Sequence, residues 1–71
     1  MRFKRHAKNG LRRVKGTTEE AESVVENSFG KDFDPDGNPR YRGFIGGKRC
    51  VVVVALDEPD VIITVFERER G

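Results

Sequence analysis

The chain reads as an α+β domain in which two N-terminal helices pack on a three-stranded antiparallel β-meander. Three observations predict this. Apolar residues recur at helical spacing as far as Phe29. After residue 39 they gather into short runs, divided by Gly46-Gly47 and by Asp57-Glu58-Pro59-Asp60, connections too short for crossovers. The middle run, Val51-Val52-Val53-Val54, does not alternate, as expected of a strand paired on both sides. With 71 residues, one domain over 1–71 is expected. A chain of this size hides only about 60% of the surface its unfolded form exposes, so the core is thin.

Phe3, Ala7, Leu11 and Val14 are four, four and three residues apart and predict an amphipathic helix over 4–14. Gly10 opposes it, since an interior glycine costs about 1 kcal/mol relative to alanine. A short strand at 2–6 followed by a broken helix is the alternative. Thr17-Thr18-Glu19-Glu20 is a capping box, with Thr17 as cap and Glu20 reaching back. It starts a helix near 18–28, with Ala21, Val24 and Val25 as its apolar stripe, Phe29 continuing it and Gly30 as its left-handed stop. Residues 30–39, GKDFDPDGNP, read as turn. Strands follow over Arg40–Ile45, Lys48–Leu56 and Val61–Phe66, then a charged tail. In the middle strand Cys50, Val52 and Val54 share one face and Val51, Val53 and Ala55 the other. Two helices cover one face only, so the second is expected to be a groove, a dimer surface or a partner site.

Charge excludes some classes and suggests another. No apolar run approaches the roughly 18 residues of a membrane span. No apolar segment follows the basic N-terminus as in a secretory signal. One cysteine forms no internal disulfide, and no zinc-type Cys/His spacing exists. A cytoplasmic domain away from the membrane, without cofactor or metal, is the expectation. Net charge is only +2, but it is sorted into blocks. Residues 1–16 carry seven bases, including Arg12 and Arg13, and no acid. Residues 17–37 carry seven acids against Lys31 alone, and 38–49 return Arg40, Arg42, Lys48 and Arg49. If the two basic blocks meet in space, they form a surface suited to a phosphate backbone. Otherwise they are solvated faces.

Several pieces then combine: His6-Ala7 on the first helix, Thr17-Thr18-Glu19-Glu20-Ala21-Glu22-Ser23-Val24, Gly37-Asn38-Pro39-Arg40-Tyr41-Arg42-Gly43, Gly47, the valine run, and Val61-Ile62-Ile63-Thr64-Val65-Phe66. In this order the chain resembles the small bacterial domains called DUF4258, and more distantly the RelE/ParE toxin superfamily and the BrnT toxins. The resemblance spans nearly the whole chain and implies a compact RelE-like α+β fold with one sheet face free to meet RNA. It implies an RNA-binding protein or metal-independent endoribonuclease, neutralised by an antitoxin protein. A long first strand of the relatives is not evident here, and Gly10 interrupts the first helix.

Metal-free RNA cleavage needs a group to take the 2′-hydroxyl proton, an acid for the leaving oxygen and cations for the phosphorane. His6 is the sole histidine and titrates in the useful range; its plainer role is to fix the helix to the sheet. With it, Arg42 and Arg68 are the candidate catalytic residues. Arg12, Arg13, Arg40, Arg42, Lys48, Arg49 and Arg70 are the candidate nucleic-acid contacts, arginine offering a fork that matches phosphate. Arg40 and Arg42 share a strand face with Phe44, on which a base can stack; their plainer role is charge protection of an edge strand. Tyr41 faces the core, and Thr64 is read on one face with Ile62 and Phe66. Cys50 is expected buried and inert. Asp32, Asp34 and Asp36 begin a calcium-loop pattern, but position twelve is Gly43 rather than glutamate, so an acidic turn is expected. The competing functional class is a non-catalytic module that dimerises or docks a protein through Val51, Val53 and Ala55.

Overall fold

The structure, a computed structural model, describes residues 1–68. Its elements are β1 (Arg2–Phe3), α1 (Arg5–Arg13), α2 (Thr18–Glu26), β2 (Gly30–Phe33), β3 (Pro39–Ile45), β4 (Lys48–Val54) and β5 (Val61–Glu67). The α+β class and the two helices are as expected. The sheet is larger than expected, with five strands in the order β1-β5-β4-β3-β2. The meander β3-β4-β5 forms its centre, antiparallel throughout. Two short strands extend it: β1, at the start of the strand read over 2–6 as an alternative, and β2, absent from the sequence-based expectation.

β1 pairs parallel with β5, Arg2 opposite Val61 and Phe3 opposite Ile62. Phe3 therefore joins the core from a strand, although its spacing to Ala7 mimics a helix. β2 lies within the segment read as turn and pairs antiparallel with β3. The turn proper is Asp34–Asn38. Asp34 folds it by accepting from the backbone N–H of Asp36 (2.9 Å) and of Asn38 (2.8 Å), and from Asn38 Nδ2 (3.0 Å). Gly30 does not stop α2; it opens β2.

The hairpin prediction holds. Gly46 and Gly47 both have positive φ, 59° and 78°, as a tight primed turn requires. Between Val53 and Val54 the β4–β5 register shifts, so Val53 faces Thr64 but Val54 faces Ile62. This bulge puts Ile62 in the core and Thr64 and Phe66 on the other face, against the simple alternation read from the sequence.

Both helices cover one sheet face. Ala7, Leu11 and Val14 of the α1 segment and Ala21 and Val24 of α2 pack with Cys50, Val52, Val54, Ile62 and Val65. Cys50 is buried there, and burial pushes its thiol upward, as an inert core cysteine requires. α1 is continuous through Gly10 because β5 lies against it. A Cβ at Gly10 would overlap the Val65 carbonyl oxygen and sit 2.8 Å from its carbon. The helix closes by a Schellman pair, Gly16 N–H to Leu11 O (2.9 Å) and Lys15 N–H to Arg12 O (3.1 Å). Lys15 takes the left-handed position (φ 56°) instead of the adjacent glycine. Gly16 backs onto Ile45, where a Cβ would collide.

The predicted capping box is present. Thr17 Oγ1 accepts from Glu20 N–H (3.2 Å), and Glu20 Oε1 accepts from Thr17 N–H (3.0 Å). The second carboxylate oxygen accepts from Gly46 N–H (3.0 Å), tying α2 to the β3–β4 hairpin. No helix among the described residues is long and apolar enough to cross a membrane.

Two predictions follow from these contacts. Gly10→Ala gains helix propensity worth about 1 kcal/mol but forces α1 off a backbone that cannot yield. Overpacking of this kind costs about 1–3 kcal/mol or more, so a lowered denaturation midpoint is expected; a raised one would show that Gly10 is not a contact point. The Gly46 and then the Thr17 N–H hold the Glu20 carboxyl below the usual range. The folded state thus binds this proton less readily than the unfolded chain. The stabilisation is complete above the ordinary titration range, near pH 4.5, and is lost as pH falls through the lower folded value. The stability gap between wild type and Glu20→Gln, from urea unfolding at neutral pH and at about pH 3, should shrink in acid. A constant gap would show that the ionised carboxylate is not what ties the hairpin.

Candidate nucleic-acid interface

The alternation that sends Cys50, Val52 and Val54 into the core sends Arg49, Val51 and Val53 to the face without helices. The register adds Arg40, Arg42 and Phe44 from β3 and Thr64 and Phe66 from β5. Gly30 and Asp32 join from β2, opposite Arg42 and Arg40. Val51 and Val53 are nevertheless only 3% and 4% exposed. Their cross-strand neighbours are Arg42 and Phe66 on either side of Val51, and Arg40 and Thr64 on either side of Val53. Arginine stems lie along apolar surface while their heads reach water. The two valines therefore do not form the flat exposed patch that a docking module would use.

The guanidiniums above them are not equivalent. Arg40 is forked onto Asp32, Nε to Oδ1 at 2.8 Å and Nη2 to Oδ2 at 2.9 Å. That hydrogen bonding, with the nearby charges of Arg40, Arg42 and Arg68, holds the Asp32 carboxyl below its usual range. Arg42 has no carboxylate within 4 Å among the described residues, and neither do Arg49 and Arg68. Arg42 lies over Gly30, where a Cβ would come within 2.8 Å of its guanidinium carbon. Its Nε is shut off from solvent with no hydrogen-bond partner among the described residues. Arg68 is held at the end of β5 by its backbone N–H on Arg49 O (2.8 Å).

Two shallow clefts adjoin here. One, of about 240 Å³, is lined by Asp32, Arg40, Arg42, Val51, Phe66 and Arg68. The other, of about 210 Å³, is lined by Phe29, Arg42, Arg49, Cys50 and Arg68. Arg42 and Arg68 belong to both. Phe29 stacks on Phe44 with ring centroids 5.6 Å apart and planes tilted by 40°. Phe29, Phe44 and Phe66 are 61%, 58% and 42% exposed, which leaves ring faces open to a ligand. Asp32 is the sole carboxylate lining either cleft among the described residues.

Of the residues singled out from sequence, the structure brings together Arg40, Arg42, Arg49 and Arg68. It does not bring His6 or Arg12 to them, and Arg13 reaches only a separate cleft of about 330 Å³, which it lines with Gly10, Val14, Val65, Phe66 and Glu67. These three are exposed on α1, which packs on the opposite face of the sheet. The first basic block thus does not merge with the second. Lys48 shares its strand parity with Cys50 and falls on the helix-covered side of the hairpin. Arg70 lies outside the described residues. Sequence reasoning missed Asp32, Gly30, Phe29 and Phe66. The alternation of Gly30 and Asp32 with Lys31 and Phe33 is a strand signal, hidden by the Asp-Pro-Asp-Gly turn that follows. Among the described residues no three His, Cys, Asp or Glu side chains are placed to share a metal ion. Comparison with family models, curated proteins and solved structures gave no match.

Gly30→Ala tests the seat of Arg42. The added methyl meets the far end of a flexible side chain, so stability should stay within about 1 kcal/mol of wild type. The Arg42 guanidinium should leave its seat, and its Nε–H resonance should move toward those of exposed arginines. An unmoved resonance would show that Gly30 does not make room for it.

Proposed function

We propose that this chain binds RNA, laying a sugar–phosphate backbone across the helix-free face of its sheet. The observation that carries this reading is the group Arg42, Arg49 and Arg68. These are three guanidiniums without carboxylate partners among the described residues, lining two adjoining clefts beside exposed aromatic rings. Forked cations suit phosphate oxygens, and bases stack on open rings whatever their sequence. The likeness to the RelE-type and DUF4258 domains supports the same reading. It extends to a small cytoplasmic protein whose cationic face a cognate antitoxin masks.

Binding matches these groups better than proton transfer does. His6 stands on the other layer, and the Asp32 carboxylate is locked in the fork of Arg40. A cleavage reaction at these clefts would draw on Arg42 and Arg68 for phosphate stabilisation alone.

Fluorescence anisotropy with a labelled single-stranded RNA tests the reading. Arg42→Ala and Arg68→Ala should each weaken binding about tenfold or more, the loss of a charge-assisted hydrogen bond being worth about 1.5–3 kcal/mol. His6→Ala should bind as wild type. The logarithm of affinity should fall linearly with that of salt, by about 0.7 per phosphate contacted. Absence of binding at low salt, or salt-insensitive association, would refute the proposal and return weight to apolar protein docking.

A further inference from the structure

We infer that the unit held by this face is a dinucleotide step: one base in each cleft, with the bridging phosphate on the Arg42–Arg68 wall between them. The inference rests on the RNA-binding reading and adds a site size to it. Arg42 and Arg68 line both clefts, so an anion seated on them faces both at once. Each cleft has its own ring, Phe66 in one and Phe29, backed by Phe44, in the other. At about 240 and 210 Å³ each is smaller than the roughly 300–1,000 Å³ of a pocket that engulfs a drug-sized ligand. Each therefore suits a single base.

Arg42 supplies the electrostatic reason for a phosphate at the wall. Its Nε is hidden from water without an acceptor among the described residues, a state proteins seldom tolerate. Gly30 lets the guanidinium lie against the β2 backbone, and a turn from that seat toward the clefts gives the fork a phosphate oxygen to bind. Arg40, in contrast, is already paired with Asp32, beside which it lines the first cleft. One wall of two cations without carboxylate partners among the described residues, with a ring on either side, is the complement of one charged linkage with a base on either side.

Competition against the labelled RNA, using short unlabelled RNAs, decides the matter. A dinucleoside monophosphate should compete at least tenfold more strongly than a nucleoside monophosphate, whereas a third nucleotide should add less than threefold. Replacing the bridging phosphate by a neutral methylphosphonate should remove most of the gain. Phe29→Ala and Phe66→Ala should each weaken the dinucleotide by about tenfold, one stacking contact, and leave the mononucleotide nearly unchanged. Phe66 also covers Val51, so circular dichroism verifies that each variant is folded, and Phe66→Leu, which keeps an apolar cover without the ring, should lose the same stacking contact. If the labelled RNA itself fails to bind, the RNA-binding reading falls. If it binds but affinity climbs evenly with each added nucleotide, or ignores the methylphosphonate, the dinucleotide site falls and the broader reading stands.

Discussion

Everything in this molecule hangs on burying β4 from two sides with unequal means. Its core-facing residues, Cys50, Val52 and Val54, meet two helices. Its other residues, Val51 and Val53, have none to meet, yet they are as well hidden. A 71-residue chain has no further layer to offer, so the cover comes from long side chains on the neighbouring strands. Those are Arg40, Arg42 and Phe66. An arginine used in this way must send its head to the surface. Covering the valines thus concentrates guanidiniums over one small area, with Asp32 as their single counter-charge in the clefts among the described residues. Packing and electrostatics here have a common cause.

Close approach makes the arrangement rigid. Gly43 lets Val24 of α2 come down onto β3, where a Cβ would lie 2.8 Å from a valine methyl. The Glu20 carboxylate, fixed by its own cap, holds the hairpin at Gly46. That hairpin joins Phe44 to Arg49, cross-strand partners on the helix-free face. The capping box of a helix on one side of the sheet thereby positions an aromatic ring and a cation on the other.

Local signals were legible in the sequence and non-local ones were not. The Thr17–Glu20 box, the Gly46-Gly47 turn and the 50/52/54 stripe depend on neighbours a few residues apart, and each appears where the pattern placed it. β1 is two residues long and owes its existence to β5, nearly sixty positions away, so the local pattern offered it only as an alternative to the helix. β2 depends on pairing with β3 across a turn whose residues dominate its composition. The bulge at Val53/Val54 moved Thr64 and Phe66 to a different face from Ile62, which strict alternation does not foresee. The same limit applies to the site. Arg40 and Arg42 announce their shared face by being two apart, but the side of the sheet that α1 covers is a tertiary fact.

That fact reassigns the N-terminal cations. A basic block free of acids suggests a ligand, but Arg12 and Arg13 stand in the last turn of α1, where positive charge complements the negative end of the helix dipole. Lys4 caps the other end without a side-chain hydrogen bond, and no acid stands in the first turn. The helix is therefore electrostatically favoured at its C-terminal end only, and relies on Ala7, Leu11 and Val14 for its place. These arginines have a structural use that the cleft arginines lack. Arg42 is the opposite case: it sits above a glycine, contributes a stem to the cover over Val51, and keeps a hidden Nε without an acceptor among the described residues. A buried polar atom left unsatisfied is rare in folded proteins, and this one separates the two basic blocks more sharply than their charge does.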